Sequence, residues 1–196
     1  MSIVLVGSTS GSVTLQEPAV AGTTVLTLPA VSGTVITTGT TGQVIDSGAL
    51  PIGSVLQVVQ GTTSTFTAIT STSYTDTNLS ATITPKFSTS KILAIVTQSA
   101  YTGINANTMM TAAVQLVRAS TSVYIVGYAV GGRAGTSVDG YVLMGGLATF
   151  SYLDSPATTS ATTYKIQGKT SVATNFATLY CQDGFSSTIQ LLEIAA

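Results

Sequence analysis

Seven carboxylates are the side chains of this sequence best suited to acid–base chemistry: Glu17, Asp46, Asp76, Asp139, Asp154, Asp183 and Glu193. Histidine, the commonest general base, is absent, so neither a Ser-His-Asp nor a Cys-His nucleophile can form within the chain. No two carboxylates are close in sequence, so a glycosidase pair would have to form in space. Most of them lie in turn-like contexts, where Asp commonly bonds its own backbone. We predict that the protein is not an enzyme and has no catalytic residues.

Candidate metal ligands are few. The sequence holds one cysteine, Cys181, and no histidine, which argues against zinc. Asp76 and Asn78, together with a backbone carbonyl, could supply oxygen ligands to calcium. An Asx turn over residues 75–78 is the favoured interpretation of the same side chains. We therefore predict no metal site, no cofactor, and a Cys181 that is simply a small buried side chain.

A glycine-rich stretch covers residues 131–135, with Arg133 at its centre. Phosphate cradles place such a stretch before the N-terminus of a helix, and no helical pattern follows here. We interpret the stretch as the tip of a β-hairpin with an exposed Arg133.

Tyrosines are concentrated in the C-terminal part of the chain, at positions 101, 124, 128, 141, 152, 164 and 180. Tyr124 and Tyr128 are four residues apart, which predicts that they share one face of a strand. Such rings could stack on sugars or contact a partner. Packing in the core and between subunits is the favoured interpretation.

The charge pattern excludes several classes of partner. The net charge is −1 and no basic run occurs, which argues against nucleic acid and against anionic membranes. No apolar run approaches the roughly 20 residues that a membrane-spanning helix requires. The first residues carry no basic region of the kind that precedes a signal sequence. We expect a protein that is made in a cytoplasm and is not inserted into a membrane.

The overall composition points to association. Apolar residues make up 44% of the chain and charged residues only 7%, against roughly 25% charged residues in an average soluble domain. The mean hydropathy is +0.50. A monomer with so few charges would tend to associate, so we expect much of the surface to be buried against other chains.

Short runs rich in Thr, Val, Ile and Tyr, separated by Gly, Pro, Ser and Asn, predict an all-β chain. We predict strands at residues 54–60, 66–70, 81–84, 91–98, 112–118, 123–130, 141–152, 163–168, 177–182 and 188–194. Alternation over the last of these is regular apart from Leu192. Turns are expected at Thr102-Gly103, Gly131-Gly132, Ser155-Pro156 and Asp183-Gly184. The pattern predicts an antiparallel β-sandwich of jelly-roll type.

The first part of the chain differs from the rest. Residues 13–23 (VTLQEPAVAGT) are echoed by residues 26–34 (LTLPAVSGT), which indicates a short repeated β-turn unit. A segment of this size cannot bury enough apolar surface alone, so it needs copies of itself or another protein. We predict an N-terminal β-stalk or anchor segment with its linker at residues 1–52 and a C-terminal knob at residues 53–196.

These repeats resemble a motif of fibre and virion proteins of tailed phages, notably phages of cyanobacteria and marine bacteria. Residues 73–85, 90–93, 153–156, 163–167 and 187–194 resemble, in the same order, parts of the knob domains that follow this motif. The resemblance implies a homotrimer with a β-rich stalk and a jelly-roll-like head on the virion surface, made in the host cytoplasm. Its implied partners are other virion proteins of the capsid or tail.

Three functions are compatible with this reading. The favoured one is a homotrimeric capsid decoration, cement or short head-fibre protein, because the chain begins on the repeat without a separate baseplate-attachment domain. The alternative is a tail-fibre receptor-binding module that recognises host surface polysaccharide through loops bearing tyrosine and aspartate. A glycosidase with an acid pair ranks far behind both.

Overall fold

Threonine, valine and isoleucine favour extended backbone, and the computed structural model consists of β-strands joined by short connections. It describes residues 3–6, 9, 12–15, 50–105, 109–133, 141–172 and 177–196. The chain divides into two compact units, residues 1–43 and 44–196. For the described residues the all-β prediction is confirmed. The predicted boundary after residue 52 stays a prediction.

The first unit contains one antiparallel hairpin. Strands β1 (Ile3–Val6) and β2 (Ser12–Leu15) pair so that Ile3 lies opposite Leu15 and Val6 opposite Ser12. Most of the repeated motif, including residues 26–34, lies outside the described residues. The predicted stalk therefore stays a prediction.

Ten strands form the described part of the second unit. They are β3 (Val55–Thr63), β4 (Thr67–Ile69), β5 (Thr75–Ile83), β6 (Lys91–Asn105), β7 (Met109–Arg118), β8 (Thr121–Arg133), β9 (Tyr141–Asp154), β10 (Thr162–Thr170), β11 (Thr178–Tyr180) and β12 (Ser187–Ile194). Each predicted strand has a counterpart, and most are longer than predicted. In the described part of the chain, no helix has the length and apolar character needed to cross a bilayer.

Two of the four predicted turns are wrong. Gly103 pairs with Leu143 inside β6, and Gly131 pairs with Thr111 inside β8, so the ladder continues through both glycine positions. The prediction at residues 183–184 is confirmed, because this pair lies in a 3₁₀ turn between β11 and β12. The pair at residues 155–156 lies in the connection after β9, and the turn expected there stays a prediction.

Four strands form sheet I, in the order β5-β10-β7-β8, and every pairing is antiparallel. Sheet II is built on the long strand β6, which pairs with β9 along one side. On its other side, β12 and β11 lie end to end, and β3 and β4 continue the sheet beyond them. Sheet II is therefore also four strands wide.

The hydrophobic core lies between the two sheets. Inward-facing side chains alternate with outward-facing ones along β10 and β12, as period-two alternation requires. Sheet I contributes buried residues such as Leu79, Leu116 and Ile166, and sheet II contributes residues such as Ile92 and Leu191. Full burial of one such side chain is worth about 1.5–3 kcal/mol. The antiparallel two-sheet arrangement is confirmed.

Candidate functional site

Asp154 lies where the two sheets meet, and its carboxylate accepts hydrogen bonds from residues of the other sheet. Its Oδ2 accepts hydrogen bonds from Arg118 Nη1 and from the hydroxyl of Tyr164, both at 2.7 Å. Asp154 belongs to sheet II, whereas Arg118 and Tyr164 belong to sheet I. Burial and the bond to Asp154 raise the pKa of Tyr164, so this hydroxyl stays protonated and donates. The trio clamps the sheets together.

Glu193 is fully buried at the end of the last strand. Its carboxylate accepts hydrogen bonds from Gln57 Nε2 at 2.6 Å and from the backbone N–H groups of Lys86, at 2.7 Å, and Phe87, at 3.4 Å. Burial alone would raise the pKa of Glu193, but these donors outweigh it and lower the pKa below its ordinary value. Glu193 thereby ties the connection between β5 and β6 to strands β3 and β12.

Asp76 and Asn78 lie inside strand β5, so the predicted Asx turn over residues 75–78 is wrong. The ladder between β5 and β10 shifts register here, and Asn78 adopts a φ of 64° within the resulting bulge. Asp76 binds Lys165 Nζ at 2.9 Å, whereas Asn78 donates to the hydroxyl of Thr67 at 2.8 Å. The two side chains therefore have separate partners, and the calcium hypothesis gains no support from their positions.

The other candidate residues are dispersed. Cys181 is buried and free, as predicted, and its sulfur lies 3.2 Å from the hydroxyl of Ser187. Asp183 is exposed in the 3₁₀ turn. Glu17, Asp46 and Asp139, the side chain of Arg133 and residues 134–135 lie outside the described residues. Within the described part, no three His, Cys, Asp or Glu side chains cluster as a metal site would require.

The prediction that Tyr124 and Tyr128 share one face of their strand is wrong. Tyr124 stacks on Tyr152 of β9, with ring centroids 5.1 Å apart. Tyr128 is instead 74% exposed and lines a cleft on sheet I. The pairing of β8 with β7 is irregular between Val126 and Val130, and such an irregularity shifts the side-chain alternation.

Part of the outer face of sheet I is polar. A chain of hydrogen bonds crosses all four of its strands, from Ser122 of β8 to Gln115, then to Gln167 and finally to the carboxylate of Asp76. The donor–acceptor distances are between 2.7 and 2.9 Å. Burial alone would raise the pKa of Asp76, but the bonds from Gln167 and Lys165 outweigh it and lower the pKa. We call these four residues the polar ladder.

A cleft of about 400 Å³ lies on the outer side of sheet I. The rings of Tyr74 and Tyr128 and the stem of Lys169 contribute to its lining, as do Thr111 and Gly127. We call it the Tyr128 cleft. It combines aromatic surface, a cation and a hydroxyl group, which is a combination suited to binding rather than to catalysis.

The outer face of sheet II is apolar at one end. Val58, Leu192, Leu93 and Leu153 pair successively across β3, β12, β6 and β9 and form one continuous row. Val58 is 60% exposed and Leu153 54% exposed at the two ends of this row. We call these four residues the apolar row.

Two uncharged rows follow on the same face. Gln60, Gln190, Ile95 and Ser151 form the first, and Thr62, Thr188, Thr97 and Thr149 form the second. The three rows together present no charged side chain. A row of adjacent apolar side chains that are partly exposed makes the apolar row a candidate contact surface.

Sequence reasoning did not single out the apolar row, although one signal was present. Leu192 is an apolar residue at a position where the alternation of residues 188–194 predicts a polar one. It faces outward and belongs to the apolar row. Its partners Val58, Leu93 and Leu153 come from strands remote in sequence. No protein-family model matches this chain, and no curated protein matches it.

Proposed function

We propose that this chain is a structural protein of a tailed-phage virion. It forms a homotrimer that docks onto the particle by its N-terminal segment and projects the β-sandwich as a knob. It acts at the virion surface as a capsid decoration, cement or short head-fibre protein and has no enzymatic activity. The phage identity rests on the resemblance of residues 13–34 to phage fibre proteins.

The observation that carries the proposed assembly is the apolar row. Val58 and Leu153 are more than half exposed in the single chain, and the two rows beyond them carry no charge. Around a threefold axis, the row of each copy can turn towards its neighbours and lose contact with water. The polar ladder on sheet I is suited to remain in solvent. The apolar row thus supports sheet II as the proposed contact surface.

The order of the strands supports a jelly-roll knob. Strands β5, β7, β8 and β10 belong to sheet I, while β6, β9 and the collinear pair β11 and β12 belong to sheet II. The chain therefore changes sheet at most of its connections, and its first and last segments, β3 and β12, are neighbours. Two interleaved Greek keys give this order, and jelly rolls are common in viral capsid and lectin domains.

The assembly is tested by light scattering on the purified full chain. We expect a mass about three times the 19.8 kDa of one chain. The double variant Val58→Lys/Leu153→Lys should dissociate, because two charges per copy would have to be buried in the contact. Both positions are exposed, so the fold should persist by circular dichroism.

The matched control is Ser80→Lys/Thr121→Lys, which adds the same charges at exposed positions of sheet I. It should leave the mass unchanged. A wild-type monomer would contradict the trimer, and a trimer insensitive to the Val58/Leu153 pair would contradict its contact surface. Cryo-electron microscopy of the virion then tests the location, and absence of the protein from the particle would overturn the virion role.

A tail-fibre receptor-binding module is the second candidate, and the Tyr128 cleft is the observation that favours it. Copy number separates the two. A decoration protein occupies many equivalent positions on a capsid, whereas a tail fibre is present in a few copies. Quantitative mass spectrometry of purified particles measures this ratio against the major capsid protein.

A further inference from the structure

The Tyr128 cleft has open space between its walls. Tyr128 stands 74% exposed on one strand, and Ile125 beside it is 56% exposed. Gly127 lies between them, and a Cβ placed there would meet no heavy atom within 4 Å. An exposed tyrosine face next to open space is a platform on which a flat apolar surface can stack.

Thr111 provides an unsatisfied polar group in the lining of the same cleft. The residue is only 6% exposed, and its hydroxyl oxygen has no hydrogen-bond partner among the described residues. Its backbone is occupied, because its N–H donates to the hydroxyl of Ser171 and its carbonyl accepts from the N–H of Ser171. A buried hydroxyl without a partner costs about 1–3 kcal/mol. This oxygen has less than 1 Å² of accessible surface, so a hydroxyl that a ligand can reach in this lining is that of the exposed Ser171.

Lys169 supplies a positive charge at the cleft. Its Nζ lies 4.7 Å from the centroid of the Tyr74 ring. Ion pairs in the described part of the chain join Arg118 to Asp154 and Lys165 to Asp76, and Lys169 takes part in neither. The ammonium group is therefore available to an anionic group of a ligand.

We propose that the Tyr128 cleft binds a saccharide that carries an acidic group. A sugar ring offers the three matching features: an apolar face for Tyr128, hydroxyl groups for the exposed Ser171, and a carboxylate or sulfate for Lys169. A neutral sugar would leave the ammonium without an anionic partner, and a purely apolar ligand would make no use of the ammonium or of the Ser171 hydroxyl. This inference goes beyond the structural role proposed above and does not depend on trimer formation.

The test is isothermal titration calorimetry with the full chain and three probes. An oligogalacturonate carries carboxylates, a heparin-derived oligosaccharide carries sulfates, and maltohexaose is neutral. We expect at least one acidic probe to bind at least tenfold more tightly than maltohexaose. The carboxylated and sulfated probes distinguish between the two acidic groups.

Three variants locate the binding. Gly127→Val fills the cleft without a clash and suits a strand, so it should abolish binding in a folded protein. Lys169→Met should weaken the acidic probe at least tenfold. Thr121→Val, which places the same side chain on β8 away from the cleft, should bind as the wild type does.

Acidic probes that bind no better than maltohexaose would overturn the proposal. So would binding that survives Gly127→Val within twofold, because the contact would then lie elsewhere on the protein. The mass of each variant, measured in parallel, separates this result from the assembly. A monomeric protein that binds the saccharide would support the binding site and contradict the trimer. A trimer that does not bind the saccharide would support the assembly and contradict the binding site.

Discussion

At the scale of single residues, the two carboxylates that are buried in the described part of the chain stabilise the fold through the donors around them. Glu193 and Asp154 together receive five hydrogen bonds from partners on the other strands and connections that they join. A buried carboxylate without such donors would be expelled or protonated. Their environment therefore explains why two acids can lie in the interior of a domain with so few charges.

Glu193 makes the free energy of unfolding depend on pH in the acidic range. Its pKa in the folded chain lies below the ordinary value of 4.5. Its contribution is therefore fully present above about pH 4.5 and is lost as the pH falls through the lower folded value. Glu193→Gln removes this dependence and should cost about 1–3 kcal/mol at neutral pH, because its amide oxygen can accept from Lys86 and Phe87 but its NH2 group then faces the Nε2 donor of Gln57.

Urea unfolding between pH 7 and pH 3 measures both effects. Asp183→Asn is the control, because Asp183 is an exposed carboxylate at positive φ, which asparagine tolerates. We expect it to change the free energy of unfolding by less than about 0.5 kcal/mol. An acid limb that is unchanged in Glu193→Gln would contradict the role given to Glu193.

At the scale of the strands, a glycine allows two strands from different sheets to approach each other closely at one edge of the sandwich. A Cβ at Gly61 of β3 would overlap the backbone carbonyl oxygen of Ser80 on β5. These strands belong to different sheets, so the absence of a side chain at Gly61 allows the sheets to approach each other there. The backbone of Ser80 cannot move without disturbing the ladder between β5 and β10.

Gly61→Ala should therefore destabilise the domain by about 1–3 kcal/mol, the usual cost of an overpacked interior. Gly127→Ala is its matched control, because a Cβ there has open space in the Tyr128 cleft. It should change the free energy of unfolding by less than about 0.5 kcal/mol. Chemical denaturation of the two variants measures both free energies of unfolding. Equal changes would contradict the role given to Gly61, because the contact with Ser80 would then relax easily.

At the scale of the whole second unit, the two outer faces of the sandwich carry different rows of side chains. The polar ladder crosses sheet I, and the apolar row crosses sheet II. A scarcity of charge in the composition alone indicates association without showing where it occurs. The difference between the faces supports the proposal that one sheet contacts other copies and the other remains in solvent.

The core and the apolar row both lie within residues 44–196. We predict that a fragment of these residues folds, unfolds in one cooperative transition and keeps the oligomeric mass of the full chain. Near-ultraviolet circular dichroism and light scattering measure this. A folded but monomeric fragment would instead assign the association to residues 1–43.

How much the sequence could reveal differs between the fold and the sites. The ten strands that the structure describes in the second unit were predictable, because β-branched runs and period-two alternation are local properties. The burial of Cys181 followed from its residue type. The boundaries were less accurate, since Gly103 and Gly131 continue strands in which their pairing partners supply the ladder bonds.

The candidate surfaces needed the tertiary structure. Alternation indicates that adjacent side chains point to opposite faces, but not which face meets the core, and a single irregularity reverses it, as Tyr124 and Tyr128 show. The sequence by itself determined an all-β chain, poor in charge and without histidine. Only the tertiary structure aligned Val58, Leu93, and their partners into one row, because pairing between distant strands is decided by packing across the whole sandwich.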